Sequence, residues 1–145
     1  MKEALAEVLT RELELLLRLR DASLKEQEYL RQDNLEGIEE MVVVKEQLIK
    51  EITALEEERQ RLHRELAAAA GISPEAGLGE LLEAGGGSPE MAALGEKMRF
   101  VLAELQEINA TNSLLIGQSL AYARKILGLL TPYLEERPPV LDKSV

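Results

Sequence analysis

From Met91 to Leu129 the chain repeats a seam at alternating steps of three and four residues. It runs Met91, Leu94, Met98, Val101, Leu105 and Ile108, then Asn112, Leu115, Ser119, Tyr122, Ile126 and Leu129. Such a rhythm keeps one stripe of a helix turned toward other helices, and neither a strand nor a loop sustains it over this length. Two seam positions, Asn112 and Ser119, are polar, and Asn109 precedes the first by three residues. Any fold must therefore give one long helix a helical partner and accommodate amides in its contact face.

The preceding sequence supplies the partners. Leu5, Leu9, Leu13, Leu16, Leu17 and Leu24, widened by Leu15 and Leu19, form a broad stripe that predicts a helix over about 2–31, covered on more than one side. The period lapses at Arg31-Gln32-Asp33-Asn34, where Asp33 and Glu36 have capping-box spacing. A turn is expected here, against the alternative of one unbroken helix to residue 70, because so long a helix is rare in a compact domain. A second helix over about 34–70 carries the seam Ile38, Met41, Lys45, Leu48, Ile52, Leu55, Arg59, Leu62, Leu66 and Ala69. Its two cations are expected to pack their stems and carry their charges to the edge. Glu46/Lys50 and Glu57/Arg61 have the spacing of surface ion pairs, and Gly71 is placed to end the helix.

The connection, 71–88, contains Ser73-Pro74-Glu75 and Leu78, Leu81 and Leu82, which predict a short helical stretch. Gly85-Gly86-Gly87 reads as a flexible break. Ser88-Pro89-Glu90 then starts a third helix over 89–131: a serine cap, a proline in the first turn, and a carboxylate at the positive end of the dipole. Beyond Pro132, the residues 132–145 with Pro138-Pro139 read as an extended, flexible tail. The expected architecture is all-α: one domain over 1–131, an elongated three-helix antiparallel bundle of coiled-coil character in up–down–up order.

Composition narrows the function. The formal charge of −10 opposes binding to nucleic acid or to anionic lipid, both of which need a basic face. Aromatic residues make up 3% of the chain, too few for a large globular interior, and there is no cysteine for thiol chemistry. No apolar run approaches the roughly 20 residues that span a bilayer, and the N-terminus lacks the apolar core of a secretory signal, so a cytoplasmic location is expected. The one histidine, His63, sits among charged residues and reads as a solvated side chain with no second metal ligand at a fitting distance. The glycines at 85–87 are not followed by a phosphate-loop Lys-Ser/Thr, and no nucleophile–base pair can be assembled. No catalytic, cofactor or metal residues are expected.

The amides of the third helix have two readings. A single polar residue in a coiled-coil seam fixes register. Alternatively, Asn109, Asn112 and Ser119 line a groove in which a partner helix finds hydrogen bonds beside apolar contact. The run Glu107-Ile108-Asn109-Ala110-Thr111-Asn112-Ser113-Leu114-Leu115-Ile116-Gly117-Gln118-Ser119-Leu120-Ala121-Tyr122, continuing to Ile126, Leu127 and Leu130, resembles the C-terminal signature of the FlgN-type flagellar export chaperones. The leucine-rich first helix, the polar turn and the charged second helix ending near Gly71 are similar to the family as well. The resemblance implies a cytoplasmic chaperone that binds the C-terminal helical segments of hook-associated proteins and delivers them to the flagellar type III export apparatus. Ile108, Asn109, Asn112, Leu115, Ser119, Tyr122 and Ile126 are the cargo-binding candidates it implies. A Tyr-Gly element that family tails carry is absent; the tail has only Tyr133, beside Pro132. The competing reading is a non-catalytic coiled-coil scaffold, a constitutive homo-oligomer whose third helix is core alone.

Overall fold

Among the described residues four helices account for the regular structure: α1 (Lys2–Arg31), α2 (Leu35–Ala70), α3 (Leu78–Glu83) and α4 (Pro89–Leu130). The computed structural model describes residues 1–130, with side chains described through Gln118 and at Arg124. The expected tail over 132–145 lies outside them. The chain is all-α among the described residues, and the three long helices run up, down and up.

The turn between α1 and α2 forms where the apolar period lapses, but by other chemistry than Asp33 capping. Asp33 takes the left-handed conformation, φ 52°, that terminates α1. The Asn34 amide bonds back to the Tyr29 carbonyl at 2.9 Å and the Asp33 amide to that of Leu30 at 3.3 Å, a Schellman closure with aspartate where glycine is usual. Asn34 is the cap of α2, its side chain accepting from the Gly37 amide at 3.0 Å. Gly37 must be glycine for space, since a Cβ there would lie 2.6 Å from the Tyr29 ring. Gly71, at φ 73°, ends α2 by the same closure.

The connection is more ordered than its glycines imply. Ser73-Pro74-Glu75 makes a turn rather than a helix start, with the Ala76 amide bonded to the Ser73 carbonyl at 3.0 Å. Gly85 closes α3 in the left-handed conformation, and Gly86 and Gly87 lie so close to Leu81 and Leu82 that a Cβ at either would collide. Ser88 caps α4, accepting from the Met91 amide at 3.4 Å.

Packing makes α1, not α4, the central element. It lies against α2 on one side and α4 on the other, while no Cα of α2 comes within 8 Å of a Cα of α4 among the described residues. At the end bearing α3 the three helices share a dense apolar core of Leu5, Leu9, Leu62, Leu66, Leu81 and Met91. Gly95 lets Leu78 of α3 approach α4, so α3 fills the space between α2 and α4 there. Farther along, the core thins to Leu16 with Val101 and Leu105, and then to Ala22 with Met41 and Leu48. The stripe drawn through the leucines of α1 is corrected here, because Leu24 is 44% exposed and the buried seam instead includes Glu12, Ser23 and Glu26.

Candidate functional site

Two features of the thin-cored half define the site. The first is a polar hub that joins all three long helices. Glu26 of α1 is buried, and its Oε1 accepts from Lys45 Nζ of α2 at 3.1 Å and from Asn112 Nδ2 of α4 at 2.9 Å. Asn112 Nδ2 also donates to the Ser23 carbonyl at 3.0 Å, and its Oδ1 accepts from Gln27 Nε2 at 3.2 Å. The amide is 3% exposed and fully engaged. A buried carboxylate with both an ammonium and an amide donor is stable only while all of them stay in register. Lys45 therefore does not carry its charge to the edge; α1 brings a counter-charge to it. Arg20 adds a cross-helix pair to Glu104 at 3.3 Å, which its raised pKa reflects once the hydrogen bonds to Asp21 and Glu104 outweigh desolvation. The register set at Gln27–Asn112 brings the end of α1 level with about Ile116, so the backbone of α4 continues for about 20 Å beyond the α1–α2 hairpin.

The second feature is an open groove between α2 and α4. On α4, Gly95 touches Leu78 of α3; at seven-residue steps along the same flank follow Leu102, Asn109 and Ile116. On α2, His63 bonds through Nε2 to the Ala76 carbonyl, in the segment leading into α3, at 2.6 Å. At seven-residue steps back along that flank lie Glu56, Ile49 and Val42. Both flanks thus face the side that α3 covers at one end and that no other described residue covers at the other. Leu102 is 47% exposed, Ile116 43%, Ile49 49% and Val42 40%. Apolar side chains thus stand exposed on both flanks, where α2 and α4 do not meet among the described residues.

Comparison with known proteins decides what kind of chain this is. The FlgN protein family model matches residues 1–138. The chain belongs to the FlgN family of flagellar export chaperones. Neither a curated protein nor a solved structure matches it.

Against this FlgN-family frame, the structure divides the residues that the sequence proposed for binding. Ile108 and Asn112 turn into the bundle against α1 and do not face the groove. Asn109 is exposed, so the two amides occupy different surfaces and do not act as a pair. Leu115 is half-buried. The side chains of Ser119, Tyr122 and Ile126 lie outside the described residues. Leu102, Ile116, Val42 and Ile49 were missed because a reading of the seam alone discards apolar residues beside it. Their seven-residue spacing was the available signal.

His63 is corrected as well. It is 6% exposed and clamps the α2–α3 connection instead of standing in solvent. Among the described residues no cluster of His, Asp or Glu is arranged to hold a metal ion, and no helix is long and apolar enough to cross a membrane.

Higher in the bundle, Glu12, Glu56 and Arg59 form a second polar layer. Arg59 Nε donates to Glu56 at 2.8 Å. Glu12 is 2% exposed, and its pKa is pushed up to about 8, first by burial and then by the proton it shares with the Glu56 carboxylate and by that group's charge; Arg59 opposes the rise. Glu56 is shifted the other way, chiefly by its bond to Arg59. Arg59 is raised, chiefly by that same bond, and like Lys45 is met by a carboxylate inside the structure.

Proposed function

We propose that this protein is a cytoplasmic chaperone for hook-associated flagellar proteins. It holds their C-terminal helical segments before assembly and hands them to the flagellar type III export apparatus. The groove between α2 and α4 receives the cargo helix. What carries the reading is the pairing of exposed apolar rows, Val42 and Ile49 on one wall and Leu102 and Ile116 on the other. Filling that gap completes a four-helix arrangement and removes these side chains from water, at roughly 25 cal/mol per Å² of apolar surface.

In this reading Asn109 and Leu115 lie on or beside the groove wall, and Ser119, Tyr122 and Ile126 extend the binding surface along α4. Ile108 and Asn112 act behind it, holding α4 at the register that keeps the groove open. Co-expression with the hook-associated proteins of the same organism is expected to yield a soluble complex of defined stoichiometry. Leu102→Asp with Ile116→Asp is expected to abolish it while the circular dichroism of the free chain stays unchanged. A complex that survives this double change places the cargo elsewhere, and failure of every hook-associated protein to co-purify removes the assignment.

A further inference from the structure

The opposite face of the α1–α2 hairpin, turned away from α4, has a different chemistry. Arg11, Arg18 and Lys25 stand at seven-residue steps along the α1 edge of a groove floored by Leu15, Ala22, Leu48 and Leu55. Val44, 38% exposed, and Glu51 stand on its α2 edge, and Glu58 continues that row by one further step. The three cations, Glu51 and Glu58 are all exposed. None of the five enters an ion pair among the described residues. Glu14 and Asp21 also border the groove on α1, but Asp21 is held by Arg20 at 3.2 Å.

One edge of the face is thus net basic and the other net acidic, at matching heights. Arg18 lies level with Glu51, and since the helices are antiparallel, Arg11 lies level with Glu58. We infer that this face is a docking surface for a second copy of the same chain, related by a two-fold axis running along the groove. Such an axis preserves height and exchanges edges. It sets Arg18 of each copy against Glu51 of the other, Arg11 against Glu58, and Lys25 against Val44. One operation satisfies both edges, whereas an unrelated helix would need opposite charges on its own two flanks in the same register. From Arg11 to Lys25 the face runs about 21 Å along the hairpin, over the width of two helices. The inference does not depend on the cargo reading, which concerns the other side of α2.

Sedimentation equilibrium on the full chain tests it. The native protein is expected to show a concentration-dependent monomer–dimer equilibrium. Arg18→Glu alone and Glu51→Arg alone are each expected to weaken dimerisation by about tenfold, since each homodimer then carries two repulsive pairs. Mixing the two variants is expected to restore the native affinity, because the mixed dimer regains both attractive pairs and the total charge of two native chains. Val44→Lys, at a site exposed enough to keep the fold, sets a second cation against Lys25 of the other copy and is expected to weaken dimerisation by about tenfold with native circular dichroism. A native chain that stays monomeric at every concentration overturns the inference. So does a dimer indifferent to Val44→Lys, or a mixture no tighter than its separate variants.

Discussion

The two ends of the bundle are built on opposite principles. Around α3, leucines and a methionine from four helices bury one another, and Leu81 and Met91 have no exposed surface. Toward the α1–α2 turn, the same three long helices meet through a glutamate, a lysine and an asparagine. Apolar contact is indifferent to small slips, so it stabilises without specifying. A hydrogen-bonded hub contributes little net energy, but it penalises any register other than its own. The chain therefore takes its stability from one end and its geometry from the other. The geometry it fixes keeps α2 and α4 apart below α3.

The largest expected effect falls on the apolar end. Leu81→Ala removes a side chain with no exposure from a site walled by α1, α2 and α4. Such cavities cost about 2–5 kcal/mol, which is a large share of the stability of a chain this size. Urea unfolding followed by circular dichroism is the measurement. A loss below about 1 kcal/mol would show that α3 is a loose plug and that the contrast between the ends is overstated.

The hub is expected to respond less, and differently. Asn112→Ala leaves Glu26 with one donor fewer and the Ser23 carbonyl without its side-chain partner, a cost of about 1–3 kcal/mol. Glu26→Ala strands Lys45 and is expected to cost a similar amount. Because the two residues share one bond, their double variant should lose clearly less than the two single losses added together. Strict additivity in that cycle would mean that the hub is a set of separate contacts rather than one device.

This division explains what could be read from the sequence. The long helices, their order and the helical stretch at Leu78–Leu82 followed from apolar spacing and from Ser88-Pro89 and Gly71, which act locally. The polar interior did not, because a count of apolar residues passes over Glu12, Ser23 and Glu26, the very positions of α1 that face the hub and the carboxylate layer. The seam put Asn112 on the inward face, but the carboxylate that binds it lies 86 residues away in sequence. No local rule reveals such a partner. The groove was hidden for the complementary reason. That Val42 and Leu102 border open space depends on α3 ending where it does, and not on anything in their own neighbourhoods.

Glu12 stands between the two ends, and its effect is the one that emerges only as pH changes. Its ordinary pKa of 4.5 is raised to about 8 in the folded chain, so folding favours the protonated acid. That contribution is whole below pH 4.5, declines as pH climbs, and is gone once pH passes about 8. Glu56 works in the opposite sense: its lowered pKa gives stability above the ordinary carboxylate range that is lost on acidification. Glu12→Gln keeps a donor toward Glu56 without the titrating charge. The variant should match the native chain near pH 4.5 and exceed it by a margin that grows until pH passes about 8, as a burial-raised carboxyl requires. Thermal melts across that range are the check. If the native and variant curves stay parallel, Glu12 is hydrated in solution. The dry interior then ends one layer nearer α3, and the boundary between the apolar and polar ends moves with it.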